Sequence, residues 1–331
     1  MFYTELLDNS LKMHERFMLR AMQLAELGAG FVSPNPKVGC VIVHKGVIIG
    51  EGWHQQYGKC HAEVNAIASV KNVALLSESD VYVTLEPCSH FGKTPPCADL
   101  LIKHQVKRVF IGAFDTNPLV GGKGIQKLID ANIEVIKGVW ETECREQNKR
   151  FFTFIEQKRP YIILKWAETA DGFVAKANFE AIQISSAKEM IFSHKLRATE
   201  DAIMVGTNTA IYDNPKLNTR LWSGKNPIRI VLDKHLKLHE GLHLLDGSKQ
   251  TLVYNLVENK TIGSTFFVKI NQKDNFLESI LNDLYQRNIQ SVIVEGGTRL
   301  LQSFIDAGLY DEVHRFQSDF KLNEGIEAPV L

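Results

Sequence analysis

Three residues able to hold a metal ion fall in two short stretches. His61 lies in "CHAEVNAIASV" (60–70), while Cys88 and Cys97 bound "CSHFGKTPPC" (88–97). One imidazole and two thiols supply three of the four ligands of a tetrahedral zinc ion, and a catalytic zinc keeps its fourth position for water. Both thiols are candidates for ionisation, because Cys97 opens a helix and a metal deprotonates a coordinating thiol. Glu63 stands two positions past His61, beside the ion without ligating it. There it can take a proton from the activated water and pass it to a ring nitrogen, then to departing ammonia. The reaction class served is hydrolytic deamination of an aminopyrimidine or aminopurine. Cys60 and His90 are rival ligands; Cys60 directly precedes His61 and points elsewhere, and a C-x-H pair would strain one short turn around the ion. A closed structural zinc site, or two inert buried thiols, is the plainer alternative, but neither needs a glutamate here.

Several elements must position these groups. "LKMHERFMLRAMQLAELGAG" places Met13, Phe17, Ala21, Leu24 and Ala25 on one helical face, and Gly28 and Gly30 end it. "KVGCVIVHKGVIIGEGWH" reads as two strands turning at Lys45-Gly46. "HAEVNAIASV" is helical, "DVYVTLEPC" is a strand running into the cysteine loop, and "CADLLIKHQ" is a helix behind Pro96, a favoured start position. A strand ("KRVFIGAFD"), a helix ("GIQKLIDAN") and a strand ("IEVIKGVW") follow. This order makes a three-layer α/β domain. The charge-rich stretch 141–160 marks a boundary, with Phe151, Phe152 and Phe154 packing the connection against a domain. A second α/β region follows, with strands "YIILKWAE", "DAIMVG", "PIRIVLD", "TLVYNL", "SVIVEGG" and "DEVHRFQ", and helices "SAKEMIFSHKLRAT", "FLESILNDLYQRN" and "TRLLQSFIDAG".

At 331 residues the chain is long enough for two domains. Its 38 basic and 38 acidic residues cancel, and neither half is basic, which argues against an electrostatic track for nucleic acid. "MFYTELLDNS" lacks the basic run and apolar core of a secretory signal, and no apolar run approaches the ~20 residues that span a bilayer. Five irregularly spaced cysteines fit a reducing compartment, so a cytoplasmic location is expected.

The P-C-x-x-C form usual for zinc deaminases has two residues between its cysteines, whereas eight intervene here. "HAEVNAI" with "TLEPCSHFGKTPPC", preceded by "SPNPKVGCVIV" and "GWHQQYGKCHAE", resembles the deaminase half of the bifunctional deaminase/reductase family of riboflavin biosynthesis, in which that longer spacing is the normal form. The resemblance covers about residues 14–150. It implies a cytidine-deaminase-like fold, zinc on His61, Cys88 and Cys97, and Glu63 as proton shuttle. It also implies that Asn35, His54 and Lys93 hold the substrate, a diaminopyrimidinone bearing a phosphoribosylamino group. A lysine on a glycine-flanked loop suits a phosphate on chemical grounds as well.

In the second half, "SVIVEGGTRLLQSF" is a strand ending in Glu-Gly-Gly that turns into a helix at Thr298. Its backbone N–H groups can face an anion such as a cofactor phosphate, with a simple tight turn as the alternative. It is not the G-x-G-x-x-G dinucleotide form. Together with "ILKWAETADGFVA", "HKLRATEDAIMVGTNTAIYDNPKLNTR" and "PIRIVLD", it resembles the reductase half of the same family over about residues 160–316, whose fold is like dihydrofolate reductase. The resemblance implies hydride transfer from NADPH to a ring-opened ribose. Ala167, Thr209, Asp213, Gly297, Thr298, Arg299, Leu300, Leu301, Gln302 and Ser303 would meet the cofactor. Arg197, Leu217, Arg220 and Glu295 would meet the substrate, the arginines suiting a phosphorylated sugar. Lys165 either polarises the carbonyl or makes a structural ion pair.

The chain departs from the family pattern in "AIQISS", where Ala181 and Gln183 replace a serine and a tryptophan, and in "TADG". Further closing strands are expected after "EGIEAPVL". The expected division is a zinc-dependent deaminase domain at 1–145, a linker at 146–160 and an NADPH-dependent reductase domain at 161–331, short at its C-terminus. A small-molecule substrate, no nucleic acid, no membrane and a homo-oligomer are expected. Alternatives are a working deaminase carrying a non-catalytic C-terminal binding or dimerisation module, and a nucleic-acid base deaminase.

Overall fold

The computed structural model describes residues 2–91, 95–117, 121–271 and 275–331, with side chains from Met13 onward. It divides into two units, Met1–Gln157 and Lys158–Leu331.

In the first unit, α1 (Phe2–Glu26) buries Met18, Ala21, Leu24 and Ala25. Met13, expected on the same face, is exposed because the core beneath α1 begins only at Phe17. β1 (Gly39–His44) and β2 (Val47–Trp53) pair antiparallel as expected. Lys45 and Gly46 both take positive φ, 49° and 79°, which the two-residue primed hairpin turn demands. α2 (Ala62–Ser69), β3 (Asp80–Leu85), α3 (Cys97–Lys103), β4 (Arg108–Ala113), α4 (Lys123–Asp130) and β5 (Glu134–Lys137) follow, then α5 (Glu141–Gln147) and α6 (Lys149–Gln157). The five strands lie in the order β2-β1-β3-β4-β5, with β3, β4 and β5 parallel.

Alternation along the strands sends residues to two faces. Ile42, Val81, Val83, Val109 and Ile111 meet α2, α3 and α4 on one side. Val41, Val43, Tyr82 and Phe110 meet α1, Cys144 of α5 and Phe151 and Phe152 of α6 on the other. Each large apolar side chain buried in this way contributes roughly 1.5–3 kcal/mol. The stretch 146–160, expected as a linker, therefore carries a helix whose phenylalanines are core, and the break between units falls after Gln157.

The second unit contains β6 (Tyr161–Glu168), β7 (Phe173–Ala175), α7 (Ala187–Thr199), β8 (Ala202–Gly206), α8 (Thr207–Tyr212), β9 (Ile228–Leu232) and β10 (Thr251–Asn255). β11 (Lys260–Ile262), β12 (Thr265–Lys269), α9 (Phe276–Gln286), β13 (Ser291–Gly296), α10 (Thr298–Asp306), β14 (Glu312–Gln317) and β15 (Ile326–Glu327) complete it. Its eight-stranded sheet runs β11-β12-β10-β9-β8-β13-β6-β14, and only β11 is antiparallel to its neighbour. α9 and α10 cover one face through Ile280, Leu284, Leu301 and Phe304, and Leu196 of α7 packs on the other. The short strands β7, β11, β12 and β15 have no counterpart in the sequence analysis, because two to five residues carry too little alternation to stand out. No helix among the described residues is long and apolar enough to cross a membrane.

Candidate active sites

The first site is built where β2, α2, β3 and α3 converge. His61 is the N-cap of α2, in extended conformation. α2 is seated tightly on β2: a Cβ on Gly52 would lie 2.3 Å from the Ala66 nitrogen and 2.6 Å from the Ala62 oxygen. Only glycine permits that approach. Cys97 opens α3 and is fully buried, and its backbone N–H donates to the Cys88 sulfur at 3.4 Å. The loop before Cys88 is held from below, where the buried Glu86 carboxylate accepts the Gly122, Gly124 and Ile125 N–H groups at the start of α4. Sequence reading passed over Glu86, although its place directly before Pro-Cys was the available signal.

His61 Nδ1 lies 3.5 Å from Cys88 Sγ and 3.4 Å from Cys97 Sγ. Tetrahedral zinc bonds of about 2.3 Å to sulfur and about 2.0–2.1 Å to nitrogen put S and N about 3.6 Å apart. The donor set therefore fits that ion in chemistry and in spacing. His61, Cys88 and Cys97 form the one such cluster among the described residues, so Cys60, which is exposed, and His90 stand outside it. Hydrogen bonds from Cys97 and His61 hold the Cys88 thiol down to about 4 against burial, while Cys97, facing that sulfur and buried, is pushed well above its ordinary value. His61 is raised, chiefly by Cys88. One of the two sulfurs is thus ionised without help, and a coordinated dication ionises both.

Glu63 is buried beside this cluster, and its carboxyl is pushed up to about 7 by burial first and the Cys88 charge second. His54 lies edge-on to His61, with ring centroids 5.3 Å apart. The Cys60 carbonyl can only accept, so His54 Nδ1 carries the proton at 3.0 Å, and Nε2 accepts from the Asn35 amide at 3.0 Å. Burial lowers the His54 pKa and favours this neutral form. Asn35 and His54 are thus brought to the metal ligands. Lys93 lies outside the described residues.

The second unit holds a cavity of about 1090 Å³ across the ends of β6, β8, β9 and β13. Ala167, Thr209, Asp213, Gly297, Thr298, Arg299, Leu300, Leu301 and Ser303 line it, together with Glu295 and Lys165. Gln302 does not; its amide donates instead to Asp306 and to the Val330 carbonyl. Gly297, with φ 77°, turns the chain from β13 into α10. Glu295 meets Arg197 bidentately at 2.6 and 3.2 Å. Burial alone would raise the Glu295 carboxyl, but Arg197 and Lys165 hold it below its ordinary value. Arg197 also donates to the Asn218 carbonyl, and Arg220 donates to the Asn218 side chain, so the two arginines meet at one residue. Leu217 has φ 48° and its side chain is core. Ala181 and Gln183 are exposed and off the cavity wall; the Gln183 amide donates to Ser185. Sequence reading did not single out Phe179 and Tyr212, which stack at 4.0 Å on the cavity wall.

Comparison with known proteins accounts for both halves. Residues 11–113 match the cytidine and deoxycytidylate deaminase zinc-binding region, and residues 160–318 match the RibD C-terminal domain. The riboflavin biosynthesis protein RibD of Actinobacillus pleuropneumoniae is 40% identical over 308 residues, 90% of this chain and 81% of that one. The RibD protein of Aquifex aeolicus is 40% identical over 320 residues, covering 94% and 88%. A crystal structure of a diaminohydroxyphosphoribosylaminopyrimidine deaminase/5-amino-6-(5-phosphoribosylamino)uracil reductase from Thermotoga maritima superposes with a TM-score of 0.88, at 37% identity, over 96% of this chain and 90% of that one. With a histidine and two cysteines at zinc spacing in one unit and a dinucleotide-sized cavity in the other, this chain belongs to the RibD family of bifunctional riboflavin-biosynthesis deaminase/reductases.

Proposed function

We propose that the chain acts twice on one phosphorylated intermediate. A diaminopyrimidinone bearing a phosphoribosylamino group is first deaminated at the His61, Cys88 and Cys97 site. Its ribose chain is then reduced to ribityl in the second unit. The observation that carries the first step is a buried carboxylate, Glu63, beside three donors at tetrahedral spacing and not among them.

Zinc, when bound, acidifies the attacking water. Glu63 then moves two protons in turn: it takes one from the attacking water and gives it to the ring nitrogen, then takes the second from the newly added hydroxyl and gives it to the amine, which leaves as ammonia. Asn35 and His54 fix the polar edge of the base, with the His54 tautomer set by Cys60. Lys93 is assigned to the phosphate. In the second unit the bound dinucleotide supplies a hydride. Lys165 places a cation beside Glu295, where a carbonyl oxygen gains charge during reduction. Ala167, Thr209, Asp213 and residues 297–303 are assigned to the cofactor. Arg197, Leu217, Arg220 and Glu295 are assigned to the substrate, with the Arg220 guanidinium exchanging its Asn218 contact for a phosphate. A cytoplasmic location and homo-oligomeric assembly belong to the same reading, the assembly being checked by sedimentation.

The test is ammonia release from the phosphorylated diaminopyrimidinone, followed by NADPH oxidation on the product. Absence of ammonia from zinc-loaded protein refutes the first assignment. Ammonia without NADPH oxidation refutes the second and leaves a non-catalytic C-terminal unit.

A further inference from the structure

α7 reaches the 217–220 loop through two side chains on one face. One is Arg197, and the other is His194, three positions earlier and so on the same side of the helix. His194 is buried, with 4% of its surface exposed. Its Nδ1 accepts the Arg220 main-chain N–H at 3.0 Å, so the neutral ring carries its proton on Nε2. Burial first, then the Arg197 and Arg220 charges, hold His194 below its ordinary pKa; Glu295 opposes them and Lys165 adds to them. These surroundings favour the form of the ring that can accept at Nδ1. A protonated ring would turn a donor toward the Arg220 N–H and set a further cation among three others.

The loop is fixed residue by residue. Leu217, at φ 48°, sinks its side chain into the core. The Asn218 carbonyl accepts from Arg197 at 3.3 Å. The Thr219 N–H donates to Asn226 Oδ1 at 2.9 Å, and its hydroxyl donates to the Lys225 carbonyl at 3.1 Å. His194 supplies the next hold, on the Arg220 main chain. Beyond that point Arg220 is exposed, and its guanidinium donates to the Asn218 side chain, a contact it can trade for a ligand. A histidine that merely filled the core would need no acceptor aimed at the main-chain N–H of this arginine. An arginine whose backbone is already placed loses less freedom when it binds. We propose that His194 is a positioning residue: by holding the Arg220 main chain, it presets the guanidinium for the phosphate of a sugar-phosphate substrate. The proposal rests on the assignment of Arg220 to that substrate.

The experiment uses the full chain, unmodified and as His194→Leu and His194→Asn. Leucine fills the space and removes the acceptor, whereas asparagine puts an amide oxygen close to the place of Nδ1. Titration calorimetry with ribose 5-phosphate reads sugar-phosphate affinity, and NADPH oxidation on the deaminated substrate gives KM and kcat. Hydrogen exchange at the Arg220 amide reports the bond itself. An N–H left without its partner lets the loop leave the binding arrangement, and affinity falls with the fraction that remains. His194→Leu is expected to weaken ribose 5-phosphate binding about 10-fold and to raise KM by the same factor. Its kcat is expected to stay within about twofold, because His194 touches no reacting atom, and its Arg220 amide to lose protection. His194→Asn is expected to recover most of the affinity and the protection. Unchanged affinity in His194→Leu overturns the proposal. So does an asparagine variant as weak as the leucine one, which assigns the effect to packing. If the unmodified protein binds no ribose 5-phosphate while amide protection still follows the acceptor, the failure lies in assigning Arg220 to a sugar phosphate, and the proposal falls with it.

Discussion

Replacing Glu63 by glutamine separates the chemistry of the first site from its construction. The carboxyl rises from an ordinary 4.5 to about 7 because it is buried beside the Cys88 charge. A raised carboxyl favours folding only while protonated. Its contribution is intact below 4.5, and the folded state weakens as pH climbs to about 7, after which the loss is constant. The rise is about 2.5 pH units, and at about 1.4 kcal/mol each the loss is about 3.5 kcal/mol. In metal-free protein Glu63→Gln is therefore expected to match the parent near pH 4 and to exceed it by about 3.5 kcal/mol at pH 8. Urea unfolding of chelator-treated protein, followed through exchange protection of α2, measures this difference. In zinc-loaded protein the same variant keeps its metal, because Glu63 is not in the donor cluster, and releases no ammonia. A stability difference that does not change with pH, or ammonia release near the parent rate, would show that the carboxylate is neither desolvated nor the proton carrier.

Gly52→Ala is expected to cost about 1–3 kcal/mol and to lower zinc occupancy, because its Cβ meets backbone atoms of α2 at 2.3 and 2.6 Å and must push His61 off its mark; urea unfolding and metal analysis check both. Arg197→Met leaves the Glu295 carboxylate buried without its hydrogen-bonded partner and with only the longer-range help of Lys165 and His194, a loss of about 3 kcal/mol in unfolding of the second unit. Adding Glu295→Gln is expected to recover most of that loss, and failure to recover it refutes the pairing argument. Asp171 accepts the Thr169 hydroxyl and the Leu322 and Asn323 N–H groups, which hold its carboxyl down to about 2. Its hold on the 318–325 segment is present above the ordinary 3.8 and lost as pH falls through about 2. Asp171→Asn is expected to admit an acid-stable protease to that segment at a pH where the parent resists.

Much of the first site was legible from residue type and spacing. His61, Glu63, Cys88 and Cys97 belong to short segments whose helix starts and strand ends are written in their own prolines and apolar periods. The turn at Lys45-Gly46 was legible for the same reason, since two positive φ angles are a local requirement. Other features needed the folded chain. Adjacency and spacing argue against Cys60 and His90, but membership of the cluster is a matter of position in space, and among the described residues neither joins it. The phenylalanines of α6 became core because α1 and the sheet offered them a face. Arg197 and Glu295 are 98 residues apart, and only the packing of α7 against β13 turns two charged residues into one buried pair. Lys234, His235 and Lys237 carry no motif in the sequence, and only the order of the parallel sheet places them on a cavity wall. Local chemistry reports on the few residues that share a turn or a strand. Meetings across strands follow from burying both faces of each sheet, a property of the whole chain.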